Sequence, residues 1–235
     1  MGTDVGQLKR QAAEAAVAYV QSGMVLGLGY GSTALIAVRR IGDLLQAGRL
    51  RDIRGVPCAR KLEAEACGHG IPLTTLEEHP IIDLTIDGAD EVTANLDMIK
   101  GGGGALLHEK VVAQATRREV IVVDERKLTP ALGTRAAVPV EIISFGWRSH
   151  LAYLESLGAR VAPRRNEDGD LFRTDEGNLI VDCEFGPIAD PGKLAAQIRA
   201  HAGVVEHGLF LGLATEVIVA GAQGIRYLKR GETTG

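Results

Sequence analysis

Apolar residues recur along this chain with two different periods, and the period changes where glycine or charge intervenes. From Val5 to Val20, Leu8, Ala12, Ala15, Ala16 and Tyr19 fall on one face at helical spacing, which predicts an amphipathic helix. Asp4 stands at its N-cap position, with Gln7 following inside the first turn. Strand-like apolar runs come next at Met24–Leu28, Ile53–Val56, 71–76, Ile81–Ile86 and Glu119–Val123. Helical stretches at Ala34–Leu45, 60–67 and Ala105–Arg117 separate them. The order α-β-α-β-α-β-β-α-β predicts a mostly parallel sheet with helices on both faces.

The pattern then changes. Strands are predicted at Val138–Ile143 and Ala159–Arg164 around a helix at Trp147–Leu157. Glu167-Asp168-Gly169-Asp170 reads as a hairpin turn. Strand candidates follow at Leu171–Arg173 and Asn178–Cys183, then a helix near 191–201 and a strand from Val204. The order β-α-β-β-α-β predicts a ferredoxin-like module. The apolar stretch from Leu209 to Tyr227 is strand-like around Val217–Ala220 and is expected to rejoin the main sheet. The expected fold is therefore α/β: a doubly wound, mostly parallel sheet with a smaller inserted ferredoxin-like α+β domain. The main domain is placed at 1–132 with 208–235 returning to it, and the smaller one at 133–207.

Composition narrows the function. The 235 residues are 46% hydrophobic and 24% charged, as in an ordinary globular protein, but only 4% aromatic, so the core must be mostly aliphatic. A net charge of -4 without a basic run argues against a nucleic-acid partner and leaves room for a small anionic substrate. Cys58, Cys67 and Cys183 form no CxxC pair, and the histidines show no HxxxH or HxH spacing, so no metal site is expected. No apolar run approaches membrane-spanning length and no signal-peptide core opens the chain, which predicts a cytoplasmic protein without membrane contact.

The chemistry gathers in two glycine-rich places. The run Ile81–Ile86 leads straight into Asp87-Gly88-Ala89-Asp90-Glu91, and strand ends of this kind bind ligands in open α/β sheets. Lys100-Gly101-Gly102-Gly103-Gly104 follows, and then Glu109 near a helix start. A glycine run can be a flexible loop, and DGAD a solvated turn. Together, carboxylates, a lysine, four glycines and a helix-borne Glu are equipment for moving a proton on a small anion. Earlier, Gly29-Tyr30-Gly31-Ser32-Thr33 joins a strand to a helix start, where free N–H groups and the helix dipole favour phosphate. A dinucleotide reading of this turn fails. Its third position is Ser32, and the next strand ends in Pro57-Cys58-Ala59 with no acid for a ribose. Lys127, after the strand at Glu119–Val123, would share the carboxyl edge of the sheet with Asp87, or be a surface lysine. Lys9 and Arg10 lie on the first helix, where a solvated face accounts for them equally well.

These blocks resemble type A ribose-5-phosphate isomerase. The similar segments are Gly27–Ala34, Asp87–Glu91, Lys100–Lys110 and Val122–Lys127, then Pro139–Glu141, Gly177-Asn178 with Asp182, Asp190-Pro191 and Gly203–Phe210. They cover nearly the whole chain in order. The resemblance implies interconversion of ribose 5-phosphate and ribulose 5-phosphate without metal or organic cofactor. It implies a sugar phosphate as the partner and homodimers or homotetramers as the assembly. It places Glu109 as catalytic base and Asp87, Asp90 and Lys100 as charged active-site residues. Gly31, Ser32 and Thr33 match a substrate-contacting turn, and Lys127 and Lys9 match lysines near the phosphate. The chemistry of the reaction adds the N–H groups of Gly101, Gly102 and Gly103, expected to meet a developing oxyanion together with Lys100. Asp87 and Asp90 can assist ring opening or position Lys100. For Glu109, burial raises the pKa while a helix start and lysines lower it, so the sign stays open.

Tyr30 stands where that family more often has Thr, His108 where Arg is frequent, and Pro57-Cys58-Ala59 lacks hydroxyls common after that strand. His108 is expected to face solvent. Two other readings use parts of the pattern: a non-catalytic sugar-phosphate-binding domain, and a coenzyme A transferase with Glu as nucleophile. The DGADE block is unexplained by the second.

Overall fold

In the computed structural model, which describes residues 4–230, the elements run in this order. They are α1 (Val5–Val17), β1 (Val25–Leu28), α2 (Ala34–Gln46), β2 (Arg54–Pro57), α3 (Arg60–Gly68), β3 (Leu84–Asp87), β4 (Glu91–Val92), β5 (Met98–Ile99), α4 (Leu106–Gln114) and β6 (Glu119–Asp124). After a 3-10 turn at Glu125–Lys127 come β7 (Val138–Ile142), α5 (Trp147–Ser156), β8 (Arg160–Pro163), β9 (Leu179–Glu184), α6 (Pro191–Arg199), β10 (Val204–His207), β11 (Leu209–Phe210), β12 (Glu216–Gly221) and β13 (Gly224–Lys229). The chain forms two compact units. One comprises 1–89, 108–127 and 213–235; the other 90–107 and 128–212.

The first unit holds a six-stranded sheet in the order β13-β12-β6-β3-β1-β2. All neighbours are parallel except the β12–β13 hairpin. β6 and β12 are buried at every position, as aliphatic runs become when both faces of a parallel sheet are covered. α1 begins on the Asp4 cap, whose side chain accepts from the Gly6 N–H. Its buried face is Leu8, Ala12, Ala13, Ala16 and Val17, and the small alanines let it lie closely on α2, β6 and β12. This is the doubly wound α/β sheet the pattern predicts.

Three elements of this unit differ from expectation. The 71–76 run makes only a single parallel bridge, Gly55 to Leu73, because Pro72 has no N–H to give a ladder. Ladder pairing in the run expected from Ile81 starts at Leu84, and Ile81 itself is exposed. The exposed edge strand β13 was invisible to the pattern, because no face of it is buried.

The second unit contains a four-stranded antiparallel sheet, β10-β7-β9-β8, with α5 and α6 packed on it. Numbered within the module, that is 4-1-3-2, the ferredoxin-like arrangement. Its core is Val138, Val140, Ile142, Leu154, Val181 and Ile198 with their neighbours. α6 starts on Asp190, which accepts from Lys193 N–H, with Pro191 at its first position. The expected strand at Leu171–Arg173 reduces to isolated bridges at Arg165–Leu171 and Arg173–Leu179 beyond the 167–170 turn. A small sheet, β11-β5-β4, completes the unit. Residues 90–107 group here because β5 pairs with β4 and β11, and Val92 bridges Leu128.

Candidate active site

In the first unit the sheet's carboxyl edge is built from β1, β3 and β6. β1 runs into the Gly29–Thr33 turn, where Gly31 has φ +133°, a conformation natural to glycine. Leu35 N–H then donates to Gly31 O at 2.9 Å, opening α2. Lys9 Nζ donates to Ser32 Oγ at 2.8 Å. Because α1 packs on α2, the Lys9 ammonium sits at the N-terminus of α2, beside the exposed Ser32 and the buried Thr33. A cation, a hydroxyl and a helix N-terminus at one point are the groups whose chemistry can seat an anion. The fold thereby brings Lys9 to the Gly29–Thr33 turn, a contact that helical spacing alone could not give.

Asp87 is the last residue of β3 and is 1% exposed. Its Oδ1 accepts from Gly88 N–H at 2.7 Å. A Cβ on Gly29 would lie 2.4 Å from that carboxylate, so the glycine is what lets Asp87 stand beside the first turn. Gly27 does the same for α4: its Cβ would meet Val112 at 2.9 Å. Glu109 lies one turn before Val112 and so on the same face of α4. The other end of this segment is pinned near the start of β3, where Thr116 bonds Thr85 at 2.7 Å and bridges Ile82. Glu109 is thus carried towards the carboxyl edge, where it is 5% exposed.

β6 is the parallel neighbour of β3, so the Glu125–Lys127 turn opens at the same edge as Asp87. It is held there by Ala222 N–H on Glu125 Oε1 at 3.2 Å. Lys127 is half-buried. Arg126 donates to Asp124 at 2.7 Å, and this bond is the main cause that holds the Asp124 carboxyl below its ordinary range, with the Lys127 charge acting the same way.

Two departures resolve here. Tyr30 leans on the buried Val56, Cys58, Ile82 and Val112, so its ring is part of the core packing. His108 is half-buried, not solvent-facing, because the short helix α4 is covered on more than one side.

In the second unit Lys100 is 2% exposed, with Nζ 5.5 Å from the centre of the Phe210 ring. Its N–H donates to Gly208 O at 2.9 Å. The glycine run forms a tight turn: Gly104 N–H donates to Gly101 O at 3.0 Å. Gly102 N–H donates to Asp90 Oδ2 at 2.8 Å. A Cβ on Gly102 would lie 2.8 Å from Asp90 Oδ1, so this glycine is needed for the carboxylate to seat. Glu91 goes elsewhere. It is buried and accepts from the N–H groups of Gly133 at 2.7 Å, Ala136 at 2.9 Å, and Arg135. It anchors the 133–136 backbone and is not among the converging acids expected of the DGADE block.

Sequence reasoning missed Arg164 and Phe172. Arg164 donates to the glycine-turn carbonyls, and Gly104 lies so close to Phe172 that a Cβ would meet the ring at 2.4 Å. Both residues sit in a segment that reads as a plain charged hairpin. Only the fold brings it onto the turn.

Comparison with known proteins decides the family. The model of ribose 5-phosphate isomerase A (phosphoriboisomerase A) matches residues 54–224. The chain belongs to the ribose 5-phosphate isomerase A family. Family members include the ribose-5-phosphate isomerase A of Chloroflexus aurantiacus, 58% identical over 94% of this chain and 92% of that protein. That of Desulfatibacillum aliphaticivorans is 54% identical over 97% and 99%. Among solved structures, ribose 5-phosphate isomerase from Plasmodium falciparum is 39% identical, with a TM-score of 0.92 over 97% of this chain and 100% of that one. A D-ribose-5-phosphate isomerase in complex with phospho-erythronic acid is 35% identical, with a TM-score of 0.94 over 97% and 100%. No helix among the described residues is long and apolar enough to cross a membrane.

Proposed function

We propose that this chain interconverts ribose 5-phosphate and ribulose 5-phosphate by proton transfer through an enediolate, with Glu109 as the base. The buried Glu109 carboxylate at the sheet's carboxyl edge carries the reading. A proton next to a carbonyl is only weakly acidic, and a desolvated, positioned carboxylate is the group that removes it. In the open-chain aldose Glu109 takes the C2 proton, and the electron pair moves to the C1 carbonyl oxygen. Lys100 and the glycine-turn N–H groups meet the developing oxyanion. Protonated Glu109 then delivers a proton to C1 and the O2 proton passes to O1, which gives the ketose. Lys9, Ser32, Thr33 and Gly31 hold the phosphate with Lys127, so that remote binding energy positions the reacting carbons. Asp87 and Asp90 serve ring opening by proton exchange at the ring oxygen and the C1 hydroxyl. The phospho-erythronic acid of the related complex is a sugar-acid phosphate, which supports a phosphate seat and an oxyanion seat in one ligand. Homodimers or homotetramers in the cytoplasm belong to the same reading.

The test is conversion of ribose 5-phosphate by the purified protein in EDTA and without coenzyme A. Turnover supports the proposal; a folded protein without turnover would remove it, and dependence on coenzyme A would favour the transferase reading. The phosphate seat makes a separate prediction. Lys9→Ala loses a charge-assisted contact, so KM for ribose 5-phosphate is expected to rise about tenfold or more, with kcat nearly kept. Initial-rate kinetics on the variant check this.

A further inference from the structure

The peptide planes of the glycine turn are gripped from outside. Arg164 Nη1 donates to Gly101 O at 2.8 Å and to Gly102 O at 3.2 Å. The rest of its guanidinium is taken by Asp182: Nε donates to Oδ2 at 2.9 Å, and Nη2 donates to Oδ1. Arg164 is largely buried, with 15% of its side chain exposed, and it lies 5.9 Å from the Phe172 ring. That ring fills the space left by the missing Cβ of Gly104.

A trans peptide points its C=O and the following N–H in opposite directions. The plane joining Gly101 to Gly102 is therefore held at both ends, its oxygen by Arg164 and its N–H by Asp90. The next plane has its oxygen on Arg164 as well, so the Gly103 N–H is turned away from Arg164. Glycines at these positions have the widest backbone freedom of any residue. Without a clamp the N–H directions would be poorly set.

We infer that Arg164, fixed by Asp182, is a positioning residue: it sets the orientation of the Gly102 and Gly103 N–H groups and, through Gly102, the seat of the Asp90 carboxylate. Its catalytic consequence rests on the isomerase reading above. Arg164 need not touch substrate. The fork shape matters more than the charge, because one face must hold a carboxylate bidentately while another reaches two carbonyls.

The experiment compares parent, Arg164→Ala, Arg164→Lys and Asp182→Asn by steady-state kinetics, phosphate inhibition and backbone hydrogen exchange. In Arg164→Ala, kcat is expected to fall about 10- to 100-fold, the scale of a misplaced catalytic group. Inorganic phosphate, seated by Lys9 and Ser32, should inhibit within about twofold of the parent value, since its site is untouched. Amides of 101–104 should exchange faster, while those of β6 and β12 keep their protection. Arg164→Lys should restore little, and Asp182→Asn should show a smaller loss of the same kind. Unchanged exchange in 101–104, or full rescue by Lys, would overturn the inference. If Arg164→Ala fails to fold, the Lys and Asn variants decide on the same readouts. A parent protein without isomerase activity would remove the functional reading, and the exchange comparison would still decide whether Arg164 sets the turn.

Discussion

Glu109→Gln is expected to lower kcat by about 10²- to 10⁴-fold, the range over which a positioned general base contributes. The substitution keeps size and hydrogen-bonding capacity and removes only the ability to accept a proton. Glu109 is buried on the face of α4 that rests on Gly27, so an isosteric amide leaves that packing in place. Thermal stability should stay near that of the parent, and inorganic phosphate should still inhibit. A fall in kcat with phosphate inhibition retained separates loss of chemistry from loss of the site. A variant that keeps near-parent kcat would move the base to another carboxylate, with Asp87 the first to examine.

The second large effect is expected at Lys100. Lys100→Met retains much of the length and apolar character of the stem against Phe210, but removes the ammonium. Loss of one preorganised donor to a developing oxyanion typically lowers kcat by about 10²- to 10³-fold. Lys100 is 2% exposed, so no bulk water stands ready to replace the charge. The expected pattern is a large loss in kcat with a modest change in KM, since the interaction strengthens as the oxyanion forms. A change confined to KM would mean that Lys100 binds substrate and transition state alike.

The sequence made the sheet legible because its strands are aliphatic runs separated by helices of clear period. β1, β2, β3, β6 and β12 all lie in such runs. It missed β4, β5 and β11, which are two residues long, too short for any period to register. It missed β13 because Arg226, Tyr227 and their neighbours are exposed on both faces. The acids show the same divide. Asp87, Asp90 and Glu91 are indistinguishable as a string of carboxylates. The fold sends Glu91 to three backbone N–H groups, while Gly29 and Gly102 leave room for Asp87 and Asp90. Lys9 and Ser32 are far apart in sequence and meet only because α1 lies on α2. Arg164 was hidden for the same reason. Its partners Gly101, Gly102 and Asp182 come from separate segments, and no local spacing announces a contact of that kind.

The most direct measurement is isomerisation of ribose 5-phosphate in D2O, with the product followed by NMR for deuterium at C1, in the parent and in Glu109→Gln. Proton transfer through an enediolate on a carboxylate base predicts solvent deuterium at C1 in that share of turnovers in which the protonated base exchanges with solvent, and a loss of both exchange and turnover in the variant. A variant that exchanges and turns over as fast as the parent would contradict the account.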